Sequence, residues 1–80
     1  MPTIALRRFR DLGTVIRTVR VSQGLTQDEL ARSLAFDRNY LSRLESGTPT
    51  MHVSRLFRLL DRLGIRLSVT YDLGGGDERP

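Results

Sequence analysis

Three side chains on one short segment carry the most specific chemistry in this sequence: Arg38, Asn39 and Arg43. An arginine fork donates two parallel hydrogen bonds to guanine O6 and N7, and an asparagine amide pairs in the same two-point way with adenine N6 and N7. Arg38 and Asn39 are adjacent, and Arg43 lies about one helical turn beyond Asn39. Tyr40 adds a hydroxyl suited to phosphate or an aromatic edge suited to a thymine methyl, and Ser42, Ser46, Thr48 and Thr50 add hydroxyls suited to phosphate oxygens. This is chemistry of recognition. Catalysis has few candidates: cysteine is absent, His52 is the single histidine, and neither a glycine-rich phosphate loop nor a cluster of metal ligands is present. Asp28 and Glu29 are neighbouring carboxylates, but the start of a helix explains them. No enzyme activity, cofactor, metal or small-molecule substrate is expected.

A charged side chain on an exposed helix is ordinarily just solvated, so the positioning elements decide. From about Phe9 to Gln23, Leu12, Val15, Ile16 and Val19 recur at helical spacing, and Gly24 ends the run. Thr26 reads as an N-cap, with Glu29 closing a capping box, before a short helix whose apolar face is Leu30, Ala31 and Leu34. After a tight turn from Leu34 to Asp37, a third helix begins at the Asp37 cap and runs to about Ser46, burying Leu41 and Leu44. Gly47 ends it. A fourth helix, from about His52 to Leu63, carries Val53, Leu56, Phe57, Leu60 and Leu63 as an apolar stripe, read as core or dimer surface, with His52 as a helix-start residue. Two short helices joined by a tight turn, the second held exposed by Leu30, Leu34, Leu41 and Leu44, describe a helix-turn-helix, whose second helix enters the major groove of duplex DNA. Arg38 and Asn39 fall in the first turn of that helix, the part that reaches bases.

Within Thr26 to Gly47, TQDELARSLAFDRNYLSRLESG, and onward to Leu63, the chain resembles the phage-repressor-like (Xre/Cro) family of helix-turn-helix domains. The resemblance implies that Gln27 bonds a DNA phosphate and that Arg20 pairs with Glu45, tying the first helix to the recognition helix. Ala35 stands where many members have glycine. If that position needs a positive φ, alanine there costs on the order of 1 kcal/mol.

The composition fits an anionic partner. Thirteen basic residues, all arginine, face nine acidic ones, for a net charge of +4. The absence of lysine is explained by codon bias in a GC-rich genome, or alternatively by a need for guanidinium forks. Apolar runs fall far short of the roughly 20 residues that span a bilayer, and neither a signal peptide nor cysteine is present, so the expected address is cytoplasmic, with no membrane partner.

At the C-terminal end the period changes. Ile65, Leu67, Val69 and Tyr71 alternate with polar residues, as in a strand. A lone strand is a sticky edge. Pairing with itself across a twofold axis predicts a homodimer, with recognition helices about 34 Å apart to match a palindromic operator; pairing with Thr3 to Leu6 within the chain is the alternative. The expected organisation is therefore mainly α: an N-terminal arm over 1–8, a DNA-binding domain over 9–72 with a dimerisation strand at 65–72, and a flexible tail over 73–80. Arg7, Arg8 and Arg10 form either a DNA-contacting arm or a solvated one. A helix-turn-helix body followed by a short strand resembles the HipB-type antitoxins. That resemblance implies a dimeric repressor of its own operon, with a HipA-like kinase toxin as partner. A stand-alone regulator, and an interaction module that has lost DNA binding, are the other readings.

Overall fold

The computed structural model describes residues 2–73. Four helices follow in order: α1 (Phe9–Ser22), α2 (Gln27–Ser33), α3 (Arg38–Glu45) and α4 (Val53–Leu63). Local chemistry sets their starts. The Asp11 carboxylate accepts the backbone N–H groups of Arg7 and Arg8, each at 2.9 Å, closing the entrance to α1. Thr26 Oγ1 accepts from Glu29 N at 3.0 Å while Glu29 Oε1 accepts from Thr26 N at 2.8 Å, a reciprocal capping box. Asp37 Oδ1 accepts from Asn39 N at 2.9 Å and starts α3.

Helix α1 packs on both α3 and α4, and α2 packs on α3. Leu12 and Ile16 of α1, Leu30, Ala31 and Leu34, then Leu41 and Leu44, and Leu56, Leu59, Leu60 and Leu63 make one core. The α4 stripe differs from the sequence expectation. Leu56, Leu60 and Leu63 are inside, but Leu59 joins them, while Val53 and Phe57 remain more than half exposed. With 3.6 residues per turn, Phe57 is rotated about 100° from Leu56 and shares a flank with Val53 four residues earlier. That flank is left outside the core.

The turn between α2 and α3 is a helix stop of the Schellman type. Phe36 N donates to Ala31 O at 2.8 Å and Ala35 N to Arg32 O at 3.1 Å. Ala35 takes φ of 57°, the left-handed conformation that usually selects glycine. At Gly13 the reason for glycine is different: a Cβ would collide with the carbonyl oxygen of Leu44, so α1 and α3 meet backbone to side-chain-free backbone.

The terminal strand does not form within the single chain. Among the described residues there is no strand, neither at 65–72 nor in the arm at 2–8, so the intrachain pairing with Thr3 to Leu6 is absent. A ladder needs a second strand, and the described residues supply none. Ile65 packs against the core, its N–H bonded to Leu60 O at 2.9 Å. Beyond it Leu67, Val69, Tyr71 and Leu73 are exposed, Val69 at 81%. The tail at 74–80 lies outside the described residues. No helix among those described is long and apolar enough to cross a membrane.

Candidate nucleic-acid interface

Two buried leucines orient α3. Leu41 and Leu44 point into the core, so Arg38, Asn39, Ser42, Arg43 and Ser46, spaced one, three and four residues apart, fall on the opposite, exposed face. The base-contact candidates Arg38, Asn39 and Arg43 therefore share one surface.

An ionic hub fixes that helix. Glu45 accepts from Arg20 Nε at 2.6 Å and Nη2 at 3.0 Å, and from Gln27 Nε2 at 3.0 Å. Arg20 Nη1 also donates to Leu25 O at 2.6 Å. One carboxylate thus ties α1, α2 and α3 together, its side chain only 4% exposed. The Gln27 link was not foreseen from sequence. It leaves the second N–H of the Gln27 amide for an outside acceptor such as a phosphate.

The hydroxyl candidates divide by where their single hydrogen goes. Tyr40 donates to His52 O at 3.2 Å and Ser46 to Arg43 O at 2.9 Å, so to donate to a phosphate either must give up an internal bond. Thr50 Oγ1 instead accepts from His52 N at 2.9 Å, leaving its own hydrogen available. Ser42 and Thr48 are exposed. The Tyr40 ring is half-buried, edge-on to Phe36 with centroids 5.4 Å apart, and Arg55 lies over it at 5.9 Å.

By holding His52, Tyr40 folds the segment after α3 back along that helix. Asn39, Arg43, Thr48, Thr50, His52 and Arg55 then line one open groove beside the recognition face. His52 and Arg55 are the members that sequence reasoning did not select. The clue lay in Tyr40, whose position one residue before buried Leu41 makes it half-core. Arg58, on the other side, donates to Leu34 O at 3.2 Å and covers Phe36 at 5.2 Å, supporting the turn. Arg7 and Arg8 of the arm and Arg10 in the first turn of α1 are exposed, and a Cβ at Gly47 would stand 2.5 Å from Arg10 Cβ, so the start of α1 passes close to the end of α3.

Comparison with known proteins places this geometry. A family model described as a helix-turn-helix domain matches residues 11–73. The uncharacterized HTH-type transcriptional regulator y4mF of Sinorhizobium fredii is 33% identical over 69 residues, 86% of this chain and 87% of its own. The restriction-modification controller protein C.AhdI from Aeromonas hydrophila superimposes with a TM-score of 0.64 at 28% identity, covering 72% of this chain and 88% of that one. A chain of the HipA-HipB-O2-O3 complex superimposes with a TM-score of 0.75 over 86% of this chain and 97% of its own, a likeness of fold at 20% identity. With the family match running from α1 past α4 and a relative similar over most of both lengths, the chain belongs to the helix-turn-helix family, of the phage-repressor-like (Xre/Cro) kind.

Proposed function

We propose that this protein is a sequence-specific DNA-binding repressor that works as a homodimer on a palindromic operator, as the antitoxin of a HipBA-type pair repressing its own operon. The observation that carries the DNA-binding part is the outward face of α3, where Arg38, Asn39 and Arg43 stand exposed on a helix clamped from behind by Glu45. In the major groove, Arg38 and Asn39 read base edges near the start of the helix and Arg43 reads one turn on. Gln27, Ser42, Thr48 and Thr50 hold the flanking phosphates, joined by Tyr40 and Ser46 where their internal bonds yield.

The dimer rests on the exposed alternation. Leu67, Val69 and Tyr71 are out in water in the single chain, and antiparallel pairing of two copies satisfies the backbone and covers these side chains together. The antitoxin assignment and its HipA-like kinase partner are supported by the likeness of fold to HipB and by the position of the alternating segment directly after α4. A stand-alone regulator is favoured instead by the 28% identity to the controller protein C.AhdI. A kinase-like neighbouring gene whose product copurifies with this chain supports the antitoxin; without one the stand-alone reading replaces it.

Binding to duplexes, followed by fluorescence anisotropy against salt, tests the core of the proposal. The cognate palindrome should bind at least ~10³-fold more tightly than unrelated DNA. Arg38→Ala should relax preference at one position per half-site, whereas Gln27→Ala should weaken all sequences about equally. Binding without sequence preference removes the repressor in favour of an interaction module. Val69→Pro deletes a ladder donor and should sediment as a monomer; persistent dimers would place the interface elsewhere.

A further inference from the structure

Arg38 has an ion-pair partner on α2. Asp28, in the first turn of α2, places Oδ1 3.6 Å from Arg38 Nε, with the two side chains 58% and 62% exposed. That is an ion-pair distance, slightly too long for a hydrogen bond. Asp28 is spare locally, because its neighbour Glu29 makes the capping box. The edge it takes is the informative part. A guanidinium meets guanine either end-on, through Nη1 and Nη2, or side-on, through Nε and one Nη. A carboxylate on Nε occupies the side-on edge and leaves the end-on fork free.

We propose that Asp28 is a specificity-determining positioning residue, whose carboxylate holds the Nε edge of Arg38 so that its Nη1–Nη2 fork is presented end-on to a guanine. The inference rests on the base-reading role proposed for α3. Arginine has many rotamers and pairs readily with any phosphate; a carboxylate against its Nε removes orientations that point at the backbone. It also repels phosphate, so it weakens contacts made to the duplex backbone and leaves those to the base. Asp28 thus lowers general affinity and raises discrimination at one base pair.

The test uses the whole chain and a pool of duplexes with a randomised central segment, selected by binding and sequenced. Wild type, Asp28→Asn, Arg38→Ala and the double variant are compared, with Asp28→Ser as a second replacement and thermal melts as the check on folding. Arg38→Ala identifies the base pair that Arg38 reads. Asp28→Asn and Asp28→Ser should reduce preference at that pair by about two- to five-fold, the range open to an exposed ion pair, with binding to unrelated DNA unchanged or tighter. In the Arg38→Ala background Asp28→Asn should change nothing at that pair. A uniform change across all positions, or an equal effect with and without Arg38, overturns the role of Asp28 while leaving the repressor intact. If wild type enriches no sequence, the proposed function fails first, and this inference with it.

Discussion

Removing the Glu45 carboxylate is the most demanding test of how α3 is held. In Glu45→Ala, Arg20 loses its partners at Nε and Nη2, and Gln27 loses the acceptor of its amide. The side chains of Arg20 and Glu45 are 11% and 4% exposed, so the pair belongs to the buried class, where stripping one partner costs about 3–5 kcal/mol. Arg20 keeps its bond to Leu25 O, which puts the expected loss near the lower end, about 3 kcal/mol. For a domain of this size, with a total stability of roughly 4–12 kcal/mol, that is a large share. The midpoint of thermal unfolding should fall by about 12–24 °C. Urea unfolding followed by circular dichroism should show a lower midpoint at an unchanged slope. Replacing both residues with methionine should recover most of the loss, since an apolar pair leaves no stranded charge. A single-variant cost below about 1 kcal/mol, typical of surface pairs, would refute the reasoning, as would a double variant as unstable as the sum of the singles.

Ala35→Gly should stabilise the protein: release from φ of 57° returns about 1–2 kcal/mol, of which glycine's extra freedom in the unfolded chain takes back about 0.4–1, and a lower unfolding midpoint would contradict this. Gly13→Ala should destabilise by about 1–3 kcal/mol through overlap with the Leu44 carbonyl, despite alanine's better helix propensity; a rise in the urea midpoint would mean that α1 and α3 stand further apart. Acid should loosen the starts of α1 and α2. Asp11 is held below its ordinary 3.8 by the backbone N–H of Arg7 and then that of Arg8, and Glu29 below its ordinary 4.5 by the backbone and then the side chain of Thr26. A depressed carboxyl stabilises the fold above its unfolded value and loses that contribution as pH falls through its folded one. Melting temperatures should therefore begin to drop near pH 4.5 and continue downward, and Glu29→Gln should flatten part of that slope; an identical acid profile in the variant would assign the loss to other groups.

What could be read from the sequence was what local rules control. The caps at Thr26 and Asp37, the glycine stops and the buried pair Leu41 and Leu44 are decided within a turn or two of chain, and the structure has them where the spacing put them. At Ala35 the resemblance raised a positive φ only as a condition, and the structure meets that condition. Four features depended on contacts distant in sequence. Gly13 looks like an ordinary helix-weakening residue until α3 is laid across it. Leu59 and Phe57 are both apolar, and only the direction of α1 decides which goes inside. The bond from Gln27 to Glu45 spans two helices, and the groove containing His52 and Arg55 exists only because Tyr40 reaches back to the His52 carbonyl. The alternation from Ile65 to Tyr71 was legible as a pattern, but pairing requires a second strand, which the described residues do not contain.

The bare backbone crossing at Gly13 also bears on how such a protein diversifies. Where Gly13 of α1 meets α3, the seat is a main-chain carbonyl and an empty Cβ position, with no side chain from the outward face taking part. Mounting and reading are thereby separate tasks, performed by different atoms on opposite sides of one helix. Residues 38, 39, 42 and 43 are free to drift in identity without disturbing the joint behind them, so a new target sequence is reachable by exchanging a few exposed side chains on an unchanged frame.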